Sequence, residues 1–178
     1  MLRRFDDPYN DEAGGTVLEG YDTAQVCLNG HMINSMAEGS PQHNSPFCER
    51  CGAKTITQCP KCNKRIPGYY HSPGVVSLVV GEKPPNYCQQ CGAPYPWIES
   101  RLSAAREYIR ELDRLNENEK GLLSRSLDDL VRDTPNTTMS ALRFKQLTAK
   151  AGAAAIDALK TILVEITVEV AKRQVWGA

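Results

Sequence analysis

The sequence predicts an α+β fold: tandem zinc ribbons of short antiparallel strands, followed by a three- to four-helix C-terminal region. Three observations predict it. Four two-ligand knuckles lie between Cys27 and Cys91, short apolar runs bracketed by turn residues fill the chain up to Pro96, and helical periodicity takes over from Trp97. The expected organisation is a flexible lead over 1–20, a double zinc-ribbon domain over 21–96 and a helical domain over 97–178.

The knuckles are Cys27-Leu-Asn-Gly-His31, Cys48-Glu-Arg-Cys51, Cys59-Pro-Lys-Cys62 and Cys88-Gln-Gln-Cys91. Two residues between thiolates let one tight turn aim both sulfurs at a tetrahedral ion about 2.3 Å away. Gly52 and Gly92 follow their second cysteines, where a positive φ relieves crowding, and Gly30 supplies the same freedom inside the wider first knuckle. Eight ligands make two sites of four with none left over, so two Zn²⁺ per chain are expected. The sequential grouping joins Cys27, His31, Cys48 and Cys51 in one site and Cys59, Cys62, Cys88 and Cys91 in the other. A cross-brace, pairing knuckle one with three and two with four, is the alternative. Iron suits the same four-cysteine geometry, and a redox dithiol is a further option. Four pairs are excessive for redox chemistry, however, and no βαβ pattern surrounds them. His43 and His71 sit in Pro/Ser/Asn-rich stretches and read as surface residues.

The expected strands follow the apolar runs Ala24–Leu28, Met32–Asn34, Thr55–Thr57, Ile66–Tyr70 and Val75–Val80. Ile98, Leu102, Ala105, Ile109 and Leu112 form one helical stripe. Asn116 and Glu119 form a capping box for a second helix whose face is Leu123, Leu127, Leu130 and Val131, ended by Pro135. Thr137 or Thr138 caps a third helix, and Gly152 ends or kinks it. A last helix over about 153–175 carries Ile156, Leu159, Ile162, Leu163, Ile166 and Val170 on a wide face suited to two neighbours, one of which another subunit can supply. Residues 162–170 also partly fit a strand.

Composition narrows the classes. Lys+Arg and Asp+Glu are 21 each, so no global field draws the chain to nucleic acid or anionic lipid. Seven cysteines, an odd number confined to the knuckle region, do not suit a closed disulfide framework. No apolar run approaches the ~20 residues of a membrane span, and the N-terminal text lacks the apolar core of a secretory signal. The cytoplasm is therefore the expected compartment. Phosphate loops, nucleophile–base pairs and paired carboxylates do not stand out, and a metal closed by four protein ligands leaves no open position. The expected function is a non-enzymatic scaffold or adaptor that mediates protein–protein interaction or self-assembly through the helical region, with no small-molecule substrate and no membrane. The alternative is a nucleic-acid-binding ribbon using Lys54, Lys61, Lys64 and Arg65, a cluster that equally neutralises thiolates.

The knuckle text, Tyr21-Asp-Thr-Ala-Gln-Val-Cys-Leu-Asn-Gly-His31, Phe47-Cys-Glu-Arg-Cys-Gly-Ala-Lys-Thr-Ile-Thr-Gln-Cys-Pro-Lys-Cys62 and Tyr87-Cys-Gln-Gln-Cys-Gly-Ala-Pro-Tyr-Pro-Trp97, resembles a family of uncharacterised bacterial zinc-ribbon proteins, a domain of unknown function. Asp133-Thr-Pro135 matches it more weakly. The resemblance implies a bacterial origin and a paired ribbon module with a helical tail. It brings no activity, substrate or catalytic residue.

Overall fold

The computed structural model describes residues 19–72 and 83–177, and the chain divides into two compact units between Trp97 and Ile98. The expected strand at Val75–Val80 and almost all of the 1–20 lead lie outside the described residues.

In the first unit, β1 (Gly20–Thr23) pairs antiparallel with β5 (Pro67–His71), Tyr21 opposite Tyr70. A three-stranded sheet has β2 (Gln25–Cys27) at its centre, between β3 (Met32–Asn34) and β4 (Thr55–Ile56). Among the described residues, Ala24, Val26, Ile66, Tyr95 and Trp97 are the most deeply buried apolar members of this unit besides the cysteines. Buried polar side chains complete it by holding loops. Asp22 accepts hydrogen bonds from the backbone N–H groups of Thr23 and Glu38 at Oδ1 and of Gly39 at Oδ2, which fixes the turn after β3. Gln25 donates to Thr55 Oγ1 and accepts from Ser45 N, while Asn34 donates to Ser40 O and Asn44 Oδ1. Each buried amide thereby has its partners, as burial requires. Gly68 is needed for close approach, since a Cβ there would overlap the Ser35 carbonyl oxygen that accepts from Tyr69 N.

One histidine differs from expectation. His43 is exposed in a short 3-10 turn (Pro41–His43), but His71 ends strand β5 with only 19% of its side chain exposed. Its Nε2 lies 3.7 Å from the buried Asp22 carboxylate. Strand pairing with β1 draws the ring inward, a long-range effect invisible in the loop-like text around it.

The second unit is helical. Five helices run through the described residues: α1 (Pro96–Arg110, which begins in the first unit), α2 (Glu117–Leu130), α3 (Thr137–Ala151), α4 (Ala153–Leu163) and α5 (Glu169–Trp176). Asn116 forms the expected capping box: Glu119 N donates to its side chain at 3.0 Å, and Glu119 Oε2 accepts from Asn116 N at 3.0 Å. Thr137 does not cap α3. Its hydroxyl donates to Arg132 O and accepts from Thr134 N, bracing the turn that contains Pro135. Gly152, at φ +108°, breaks α3 from α4.

The expected three or four helices become five because the last segment is two helices rather than one, with neither a strand nor a continuous helix over 162–170. The break runs from Val164 to Val168 and includes the β-branched run Ile166-Thr167-Val168, whose helix propensity is slightly lowered. Thr167 bonds back to Leu163 O, and Val168 N leaves the helical ladder to donate to Leu130 O of α2 at 3.0 Å. This bend folds the wide apolar face onto its own unit. Leu159, Leu163, Ile166 and Ala171 join Leu123, Leu127, Leu130 and Phe144 in the core, and α3 packs against α2, α4 and α5. Only Val170, at 46% exposure, remains conspicuously outside among the large apolar residues of that face. No described helix is long and apolar enough to cross a membrane.

Candidate metal centres

Three of the knuckles share one backbone form. The first cysteine N–H donates to the carbonyl five residues on, and the N–H four residues on donates back to the cysteine carbonyl: Cys48 with Ala53 and Gly52, Cys59 with Lys64 and Asn63, Cys88 with Ala93 and Gly92. The residue after the second cysteine is left-handed in all three, at φ +70° for Gly52, +58° for Asn63 and +67° for Gly92. Asn63 does without glycine because asparagine tolerates that region. Its position in the repeated text, directly after Cys62, is the signal that could have marked it. In the first knuckle Cys27 N donates to His31 O and Gly30 N to Cys27 O.

These turns bring eight ligand atoms into two groups, Cys27, His31, Cys48 and Cys51, and Cys59, Cys62, Cys88 and Cys91. Within each group all ligand atoms lie within 4.8 Å of one another, in the sequential arrangement and not the cross-brace. The detailed distances suit a tetrahedral ion. Sulfurs at about 2.3 Å from such an ion stand about 3.8 Å apart, and a sulfur and an imidazole nitrogen about 3.6 Å. Cys27–Cys51 and Cys59–Cys91 are each 3.8 Å, Cys62–Cys88 is 3.6 Å, and His31 Nδ1 lies 3.5 Å from both Cys27 and Cys48 Sγ. His31 therefore offers Nδ1, a choice the sequence does not reveal. All seven cysteines are free of disulfides.

Donors around the sulfurs favour thiolates. His31 N donates to Cys27 Sγ at 3.2 Å, and Asn29 Nδ2 to Cys51 Sγ at 3.4 Å. The Ala53 backbone N–H, then the Asn29 side chain, lower the Cys51 thiol from 9.0 to about 6. For Cys88, burial pushes upward but is outweighed by the backbone N–H groups of Cys91 and Gln90 and by the neighbouring thiols, which lower it to about 6. Cys62 goes the other way. The Lys64 N–H lowers it, yet desolvation and the sulfurs of Cys91, Cys88 and Cys59 raise it to about 12. Burial raises Cys27. Each metal-free centre thus pairs a cysteine poised to be a thiolate, Cys51 or Cys88, with one whose thiol is held more tightly, Cys27 or Cys62.

The sign of the pH dependence follows. Cys51 and Cys88 have folded values below 9.0, so the stability they contribute is present above pH 9 and lost as pH falls through about 6. Ion and proton compete for the same sulfurs, so metal affinity should rise steadily from pH 6 to 8 with proton release on uptake. Chelator competition at several pH values checks this; a flat profile would contradict the ligand set.

The expected contact residues Lys54, Lys61, Lys64 and Arg65 are all exposed. Arg65 is engaged, with Nη1 2.9 Å from Glu38 Oε2. Sequence reasoning passed over Tyr95 and Trp97 as site residues. Both are buried, at 0% and 1% exposure, and their rings stack at 4.7 Å and 13°. Burial first, then the nearby Cys88 charge, raises the Tyr95 phenol above its ordinary range.

A family model described as "Uncharacterized protein conserved in bacteria (DUF2321)" matches residues 20–175, spanning the ribbons and the helices. The chain belongs to that family. For this DUF2321 member, no curated protein matches in a sequence search, and no solved structure matches in a structural one.

Proposed function

We propose that this protein is a non-enzymatic, zinc-held scaffold or adaptor that docks other proteins in the cytoplasm. The observation that carries the reading is the completeness of both centres: each group brings four ligand atoms within 4.8 Å of one another. A zinc ion so enclosed has no open position for water or substrate, so its role is to fold the ribbons. The donor set of thiolates with one imidazole favours zinc over harder ions. Docking draws support from the ribbon surface, where Phe47 is 60%, Tyr21 55%, Tyr70 39% and Leu28 36% exposed. Exposed aromatics of this kind serve as contact anchors. The helical face that sequence alone favoured for assembly is now largely internal, which moves the emphasis to the ribbons.

Cobalt substitution tests the closed-site reading. Both ions should give tetrahedral spectra that excess cyanide or imidazole leaves unchanged, and a response to either ligand would mean an open, catalytic position. Light scattering over a concentration series, with and without Phe47→Ser, separates self-assembly from docking to a different protein. A monomer throughout would remove self-assembly.

Nucleic-acid binding is the second reading. Lys54, Lys61 and Lys64 are exposed and make no ion pair among the described residues. Salt-dependent affinity for DNA or RNA, reduced when the three lysines become glutamine, would favour it over protein docking.

A further inference from the structure

We propose that Tyr95 and Trp97 form a strut joining the two metal centres, so that filling one centre strengthens metal binding at the other. Trp97 presses on the first knuckle. A Cβ added at Gly30, between Cys27 and His31, would lie 2.9 Å from Trp97 Cβ and 3.0 Å from Cγ, and Gly30 has φ +84° besides. That knuckle therefore closes around the ion only with its backbone seated on the indole. Trp97 is in turn fixed by its Nε1–H, which donates to Pro85 O at 3.1 Å, two residues before the fourth knuckle's flanking Tyr87.

The other end of the strut is Tyr95. Tyr95 N donates to Asn86 O at 3.1 Å, and Cys88 N to Ala93 O at 2.9 Å, so the fourth knuckle's turn carries the ring. The buried Tyr95 hydroxyl has no hydrogen-bond partner among the described residues, and the charges acting on it are those of Cys88, Cys59 and Cys62. A buried O–H left unpaired costs about 1–3 kcal/mol. Donating to a metal-bound Cys88 thiolate removes that penalty, and the same bond steadies the ligand. These two rings are the largest fully buried side chains of the unit among the described residues, so ordering the strut is a substantial part of its folding. The first ion to bind orders it, and the second then binds a chain already ordered, which is positive cooperativity.

The inference rests on both clusters taking up metal, and cadmium-113 is the probe. In the full-length protein the three-sulfur, one-nitrogen centre and the four-sulfur centre give separate resonances, and loss of each ion to a chelator is followed separately. Absence of either resonance in the wild type would sink the metal-site reading itself. Cys48→Ser removes a ligand from the first centre alone, yet it should weaken cadmium at the second on the order of tenfold. Gly30→Ala and Trp97→Phe remove no ligand and should weaken the second centre in the same direction. Tyr95→Phe, which keeps the ring stack, should weaken the second centre through loss of the hydroxyl. Second-centre affinity within about twofold of wild type in Cys48→Ser overturns the coupling. An effect in Cys48→Ser without one in Gly30→Ala or Trp97→Phe overturns the strut as its route, and an unaltered second centre in Tyr95→Phe overturns the hydroxyl's part.

Discussion

Removing the metal from this protein is expected to unfold residues 20–97 while most of the helical circular dichroism survives. Among the described residues, the ribbon strands are two to five residues long and the fully buried apolar side chains are a handful. Structural zinc contributes about 10–16 kcal/mol of apparent binding free energy at neutral pH, comparable to or larger than the whole stability of a typical domain. Without it, the buried polar groups of Asp22, Gln25 and Asn34 offer hydrogen bonds of small net worth against the entropy of ordering their loops. The helical unit has a separate source of stability in Leu123, Leu127, Leu130, Phe144, Leu159 and Leu163, all fully buried. Circular dichroism during chelation, with fluorescence of Trp97 in a Trp176→Phe background, checks this. Parallel loss of the helical signal would mean that the helices depend on the ribbons.

Truncating Phe144 should have the largest effect of any single change in the helical unit. Its side chain is fully buried in α3, the helix that packs against α2, α4 and α5, and its ring meets Trp176 edge-on at 6.3 Å and 83°. Phe144→Ala removes that contact and leaves a cavity, at a cost of about 3–5 kcal/mol. For a unit of this size the melting temperature should fall by at least about 12 °C, while metal content stays at the wild-type level. A shift under about 4 °C would place the ring outside the core.

Where the sequence was informative, it was so for local reasons. The knuckle spacings carry their own geometry, since two intervening residues and a left-handed one after them determine where the sulfurs point. The Asn116–Glu119 capping box is equally local. What escaped depended on distant partners. His71 reads as a loop residue until β1 pairs beside it and the Asp22 carboxylate faces its ring. Thr137 has the chemistry of a cap, but Arg132 O is nearer to hand for its hydroxyl. The periodicity from Ile156 to Val175 is continuous enough for one helix. Its break needed the acceptor Leu130 O, which lies in another helix and has no trace in the local text. The same break changed the functional reading, because apolar residues that looked available for a partner are spent on the chain's own core. Tyr95 and Trp97 were visible only as aromatics in a Pro-rich stretch; their place beside the knuckles appears only when the ribbons close.

The donor sets have one more consequence. A divalent ion held by three thiolates and a neutral imidazole keeps one net negative charge, whereas four thiolates leave two. With both sites filled, the second centre would be the more anionic of the two, and the exposed Lys61 and Lys64 stand within and just after one of its knuckles. Those lysines would offset the extra negative charge there, so His31 on one side and Lys61 and Lys64 on the other would act in the same direction, each lowering the net negative charge that its own centre presents.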